Sequence, residues 1–190
     1  MLFDAWRGRL PALWQIMTRP IIRPASAADI PAITAIYAHA VKYGTATFET
    51  EPPSDEEMAD RFRALAEGGF PYLVAATGGN VMGYAYAGPY RTRIAYRYSL
   101  ENSIYVAPDC HRHGIGRALM DELLSEADIR GFRQMIAVIG DSQQVASIAL
   151  HRAAGFNLVG TLRAVGFKFG RWLDTVLMQR RLGPGATTLP

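Results

Sequence analysis

His111-Arg112-His113-Gly114-Ile115-Gly116-Arg117-Ala118-Leu119 follows an apolar run, Ser103-Ile104-Tyr105-Val106-Ala107-Pro108, and opens a long helical pattern. The order strand, basic glycine loop, helix builds a place for a phosphorylated ligand. Glycines let the backbone turn tightly and approach a ligand closely. The first amides of a helix lack intrahelical partners and sit at the positive end of its dipole. A pyrophosphate suits both conditions.

The segments on either side give the architecture. Leu100, Ile104 and Val106 share one face of the strand that leads into the loop; Glu101, Ser103 and Tyr105 share the other. Before it, residues 72–76 and 81–87 form a hairpin around Gly78-Gly79-Asn80, and Gly88-Pro89 ends it. Residues 21–25 read as a first strand. Ser26 or Asp29 then caps a helix with Ile30, Ile33, Ile36, Tyr37 and Val41 on one face, and Pro31 suits its first turn if Asp29 is the cap. Ser54 or Asp55 caps a second helix with Met58, Phe62 and Leu65 inward. After the glycine loop, a helix over 114–130 turns Ile115, Leu119, Leu123 and Ala127 inward, and Gly131 stops it. Residues 135–139 are uninterruptedly apolar, the pattern of a strand covered on both faces. A short helix over 145–154 and two strands, roughly 158–163 and 167–180, complete the order β-α-α-β-β-β-α-β-α-β-β. The expected fold class is α/β (α+β), a mixed sheet with helices on both faces.

Composition excludes several classes. The 190 residues are 49% hydrophobic and 19% charged, which argues against disorder. No apolar run approaches the roughly 20 residues of a membrane-spanning helix. Cys110 is the single cysteine, so no internal disulfide framework exists and a reducing, cytoplasmic setting is expected. A net charge of +3 and a pI near 9.2 are too mild to point to nucleic acid. The positive charge is local instead: Arg91, Arg93 and Arg97 in one cluster, His111, Arg112, His113 and Arg117 in another. Clusters of this size fit small anionic ligands. Leu2, Phe3, Trp6, Leu10, Leu13, Trp14 and Met17 recur at helical spacing broken by Pro11. This stretch reads as an accessory extension, or as residues upstream of a natural start at Met17; a membrane-surface helix is the competing reading. Residues 1–18 are therefore set apart from a domain over 19–181 and a flexible tail over 182–190.

The element order and glycine loop resemble the GNAT acetyltransferases from about Ile21 to Arg180. Five segments in order narrow the resemblance to the phosphinothricin N-acetyltransferase branch: Thr47-Phe48-Glu49-Thr50-Glu51-Pro52, Ala85-Tyr86-Ala87-Gly88-Pro89-Tyr90-Arg91, Glu101-Asn102-Ser103-Ile104-Tyr105-Val106, Ala137-Val138-Ile139-Gly140 and Gly166-Phe167-Lys168. The resemblance implies a GNAT fold: a mixed, mostly antiparallel sheet of six to seven strands with about four helices. It implies acetyl-CoA as co-substrate, no metal, a small-molecule amine acceptor and a homodimer. Two positions depart from the family pattern. His111 stands where Gln or Arg usually begins the pyrophosphate motif, and Gln144 stands where Asn often precedes the serine at 147.

The implied reaction moves an acetyl group from a thioester to a primary amine. A protonated amine cannot attack, so a base is required. Glu101 matches the family's base, with Arg91, Arg93 or Arg97 available to hold it ionised. His151 matches the branch's histidine as acid, base or orienting group. The resemblance assigns Ile104, Tyr105 and Val106 to the pantetheine arm, paired like an added strand, with the Val106 amide as oxyanion donor. It assigns His111, Arg112, His113, Gly114, Ile115, Gly116 and Arg117 to the pyrophosphate, and Gln144 and Ser147 to the pantetheine. Phe48, Arg91, Arg93 and Tyr96 match positions that shape the acceptor pocket, where arginine suits a carboxylate or phosphinate. Cys110 reads as incidental. The alternatives are a protein or other amine acceptor, and a non-catalytic acyl-CoA-binding module.

Overall fold

The computed structural model describes residues 20–190, so the extension expected over 1–18 lies outside the described residues. The elements follow in the expected order: β1 (Ile21–Pro24), α1 (Ile30–Tyr43), α2 (Asp55–Glu67), β2 (Tyr72–Thr77), β3 (Asn80–Pro89), β4 (Ser99–Val106), α3 (Ile115–Ile129), β5 (Gln134–Gly140), α4 (Val145–Ala153), β6 (Asn157–Lys168) and β7 (Arg171–Arg181). Seven strands form one sheet in the order β1-β2-β3-β4-β5-β7-β6. Only the central β4–β5 pair is parallel.

The period-two alternation of the strands divides the core in two. On one face, Leu100, Met135 and Met178 pack with Ile115, Leu119 and Leu123 of α3. On the other, Val74 and Tyr84 pack with Ile33, Tyr37 and Val41 of α1 and Met58 of α2. Tyrosines dominate this second face. Tyr84 stacks on Tyr105 at 5.3 Å and Tyr72 on Tyr86 at 5.1 Å between ring centroids. The Tyr84 hydroxyl is fully buried and has no partner among the described residues.

The start of α1 settles the choice between two caps by using both. Ser26 precedes a single 3-10 turn, and Asp29 stands at the cap of α1 with Pro31 in its first turn. The buried Asp29 carboxylate accepts from the Ser26 amide at 2.8 Å. It also takes both prongs of the Arg23 guanidinium, at 2.7 and 2.8 Å. These bonds hold its pKa down at about 2, against burial. The tie fastens β1, the sheet's edge, to the first helix. For α2 the cap is Ser54, whose hydroxyl accepts from the Glu57 amide.

Three expectations are corrected. The apolar run of β5 is not covered on both faces: Met135, Ala137 and Ile139 are buried, but Val138 is 36% exposed because its side lines an opening in the sheet. The last hairpin does not turn near Gly166. β6 continues to Lys168 past an irregular pairing around Ala164, whose φ is +51°, and the turn is Phe169-Gly170. The boundary at 182 also moves. Leu182 is a core residue, 3% exposed, with its amide on the Arg133 carbonyl. The residues after it fold back, with Arg133 donating to Thr188 and to the Leu189 carbonyl.

β6 ends the sheet. Its outer edge pairs with nothing among the described residues, and Leu158, Val159, Leu162, Val165 and Phe167 are all exposed.

Two outcomes are expected. Replacing Tyr84 by Phe removes a buried hydroxyl without a partner, so the variant gains about 1 kcal/mol in denaturant unfolding rather than losing it. The carboxyl of Asp29 is depressed on folding from 3.8 to about 2, so its stabilisation is present above pH about 4 and fades as pH falls towards about 2. The difference in Tm between wild type and Asp29→Asn shrinks across that window.

Candidate active site

The parallel ladder between β4 and β5 runs from Ser99–Gln134 to Asn102–Ala137 and stops there. β4 continues to Val106 and β5 to Gly140, so the two strands part like the arms of a V. Backbone groups alternate in direction along a strand. The Ser99 carbonyl and the Ala107 amide bond towards β3, whereas the Tyr98 carbonyl bonds towards β5. The same parity turns the N–H and C=O of Ile104 and Val106 into the gap. A cavity of about 240 Å³ occupies it, lined by Glu101, Asn102 and Ile104 on one arm, Val138 and Gly140 on the other, and His151 from α4.

Glu101 and His151 reach this cavity from opposite faces of the sheet. Glu101 shares the tyrosine face with Ser103 and Tyr105, and Asn102 shares the α3–α4 face with Leu100. Both faces meet the cavity because the sheet is open there. Burial pushes the Glu101 carboxyl up from its usual range, and Arg91 opposes this weakly with its Nη1 3.9 Å from Oε2. Of the three arginines expected near Glu101, Arg91 is the one in contact, and burial outweighs it. His151 is 5% exposed. Its Nδ1 donates to the Ser147 carbonyl at 2.8 Å, its Nε2 faces the Asn102 amide at 2.9 Å, and Phe156 lies edge-on at 5.0 Å. Burial pushes the imidazole below its ordinary value, with the Ser147 carbonyl pulling the other way.

The glycine loop follows the β4 arm, past a single 3-10 turn over Pro108–Cys110, and leads into α3. Gly114 caps α3 in the left-handed region, φ +78°, with nothing of the protein near the place a side chain would take. Arg112 is left-handed too, at φ +65°. These conformations aim the unpaired first amides of α3, at Ile115, Gly116 and Arg117, into open space. Two basic side chains of the loop are turned elsewhere. Arg117 reaches Asp121 and the Ala153 carbonyl, bracing α3 against α4. His111 donates from Nε2 to the Val106 carbonyl at 3.0 Å, covering the last backbone oxygen of the β4 arm. Arg112 and His113 are exposed. Burial pushes the Cys110 thiol up, away from nucleophilic character.

The acceptor-side candidates are only partly gathered. Phe48 lies against the backbone of Gly140 and Gly166, at the tip of β5. Arg91 lies over the Tyr90 ring at 4.2 Å and faces Glu101. Arg93 and Tyr96 stand on the exposed loop between β3 and β4, with Tyr96 edge-on to Tyr90 at 5.8 Å. Gln144 and Ser147 line the cavity at the start of α4.

Four residues that the sequence reading passed over hold this site together. Asn102 bonds His151. Thr45 accepts from Gln144 at 2.9 Å and donates to Asp141 at 3.0 Å. Asp141 is buried and left-handed, φ +75°; burial raises its pKa, but the Gln143 amide, Arg171 and Thr45 together hold it below the usual carboxylate range. Lys168, 4% exposed, donates from Nζ to the carbonyls of Gly44 and Thr47, both at 2.9 Å, and burial lowers its pKa. Asn102 had a readable signal, a polar side chain between Leu100 and Ile104 on an apolar face. The other three act across long sequence separations.

Residues 22–177 match the family model described as an acetyltransferase (GNAT) domain. The chain is 55% identical to a phosphinothricin N-acetyltransferase of Alcaligenes faecalis over 85% of its length and 82% of that protein. It is 42% identical to an L-methionine sulfoximine/L-methionine sulfone acetyltransferase of Pseudomonas paraeruginosa, over 86% of this chain and 95% of that one. The crystal structure of a GNAT superfamily phosphinothricin acetyltransferase from Sinorhizobium meliloti, in complex with AcCoA, superposes with a TM-score of 0.88 at 51% identity, covering 91% of this chain and 94% of that one. With its parted central strands and its glycine loop opening onto the gap between them, the chain belongs to the GNAT acetyltransferase family.

Proposed function

We propose that the chain transfers the acetyl group of acetyl-CoA to the primary amine of a small amino acid or analogue, of the phosphinothricin, methionine sulfoximine or methionine sulfone type, by direct attack in a ternary complex. The observation that carries this reading is Glu101: a half-buried carboxyl with a raised pKa on the wall of the gap, on the same β4 arm whose later residues turn backbone groups into it. The names of the relatives supply the acceptor class.

The coenzyme's pantetheine arm lies along Ile104, Tyr105 and Val106 as an added strand. Its pyrophosphate meets the amides of Arg112 to Arg117, which serve through backbone rather than side chain. His111 fixes the Val106 end of that strand, and Gln144 and Ser147 face the arm from α4. The acceptor enters on the tyrosine side, where Phe48 and Arg91 stand, with Arg93 and Tyr96 on the loop above. An anionic acceptor tail pairs with arginine. Glu101 takes a proton from the ammonium, and the freed amine attacks the thioester carbonyl. The oxyanion of the tetrahedral intermediate is met by the Val106 amide. The C–S bond then breaks, CoA leaves as a thiolate of pKa about 8.5 that needs little help from an acid, and the remaining proton of the attacking nitrogen passes to that thiolate or to water. His151 orients the coenzyme side of the site. Cys110 takes no part.

The unpaired, apolar β6 edge supports a homodimer built by a two-fold contact along that strand. Among the described residues no helix is long and apolar enough to cross a membrane. Dependence on acetyl-CoA, an intracellular metabolite, supports a cytoplasmic location.

Turnover with acetyl-CoA and these acceptors, followed by thiol release, tests the assignment. Glu101→Gln is expected to lose about 10²- to 10⁴-fold in kcat/KM. Because the folded pKa of Glu101 is raised, wild-type kcat/KM falls with decreasing pH from above the ordinary carboxylate range, and the variant lacks that limb. Unchanged kcat/KM in the variant refutes the role; turnover confined to peptide amines redirects the acceptor class. In sizing chromatography the protein is expected at about twice its 20.9 kDa chain mass, and Leu162→Lys shifts it to the monomer.

A further inference from the structure

Asn102 stands where β4 and β5 part, as the β4 member of the last residue pair before the gap. It is 6% exposed. Its Nδ2 lies 2.9 Å from His151 Nε2, while its Oδ1 is shielded from solvent and has no hydrogen-bond partner among the described residues. Buried carbonyl oxygens are seldom left so, and the residue that carries this one lines the cavity, which points to a ligand.

The hydrogen-bond chain fixes which end of the amide is free. The Ser147 carbonyl can only accept, so the His151 Nδ1 at 2.8 Å carries the hydrogen. The Nε2 of the neutral ring is then bare and must be met by a donor, the Asn102 NH₂. Turning the amide over would set two lone pairs against each other. Burial favours the neutral ring. The groups facing it are Asn102 from β4, Ser147 from its own helix and the Phe156 ring; Glu101 belongs to the opposite face of the sheet. Both ring nitrogens are therefore occupied, and His151 offers the gap no proton in this state.

We propose that Asn102 is a positioning residue with a second role in coenzyme recognition: its NH₂ holds His151 as the Nδ1–H tautomer, and its Oδ1 accepts a hydrogen from the coenzyme arm. The inference rests on the reading that the gap holds the coenzyme. The arm carries three kinds of donor: amide N–H groups, the pantoyl hydroxyl and, after acetyl transfer, the thiol S–H. Acetyl-CoA has the first two; CoA has all three.

Calorimetric binding of acetyl-CoA and of CoA to the full chain separates them. Asn102→Leu keeps the branching at Cγ and the heavy-atom count and removes the acceptor, and binding is expected to weaken roughly fivefold. Loss for both coenzymes assigns the bond to an amide or the pantoyl hydroxyl; loss for CoA alone assigns it to the thiol. Unchanged binding of both by the leucine variant overturns the role of Asn102 alone, whereas failure of wild type to bind either coenzyme overturns the reading of the gap as well. NMR of ¹⁵N-histidine-labelled wild type needs no substitution. It is expected to show His151 protonated at Nδ1 and bare at Nε2 at neutral pH, and an Nε2–H signal there refutes the proposal. In Asn102→Asp the carboxylate cannot donate to Nε2 and draws a proton onto it, so the His151 titration moves up; a titration unmoved by this change also counts against the assignment.

Discussion

One constraint governs the site: a parallel strand pair that stops pairing halfway. β4 and β5 are held together up to Asn102 and Ala137 and then diverge, because each is anchored elsewhere. β4 stays in register with β3 through Val106, and β5 stays with β7 through Gly140. Two antiparallel partners thus pull the central pair apart. Of the backbone groups released on the β4 arm, the Val106 carbonyl is met by His111 and the others have no strand partner, which is what suits the proposed extended ligand with its own amides. The glycine loop follows directly from the end of that arm. In the proposed binding mode, the ligand's strand-like part and its anionic part meet one continuous stretch of chain.

The opening also lets adjacent residues work on different sides of the sheet. Strand alternation places Glu101 and Asn102 back to back, and the gap lets both reach a common cavity. Burial then acts on the two titrating groups in opposite senses. It raises Glu101, the direction that suits the base role proposed for it. It lowers His151 and keeps the ring neutral. Burial and the Ser147 carbonyl are the influences on the histidine, and the carboxylate of the opposite face is not among them.

Much of this was legible from the sequence because it is local. Gly114 and the run after it announce a helix start with free amides. The alternation of Leu100 to Val106 shows which side chains face together. Ser54 shows where a helix begins. Glu101 took its chemical meaning from family resemblance, since a carboxylate on a strand carries none by spacing. The gap was not legible, because it arises from register with strands far along the chain. Val138 accordingly reads as buried when it lines an opening. The final turn was misjudged because Ala164 and Gly166 look like a turn, whereas they accommodate an irregularity inside a longer strand. Leu182 was assigned to the tail because nothing local marks it as the residue that closes the core.

Lys168 joins distant parts of the molecule. Its ammonium, buried in β6, grips the carbonyls of Gly44 and Thr47 on the loop that also carries Phe48. That loop is bolted to the last hairpin rather than hinged on α1. The edge strand and the loop that carries Phe48 are consequently tied directly, so a displacement along the rim of the sheet has a route to that loop that does not pass through the core.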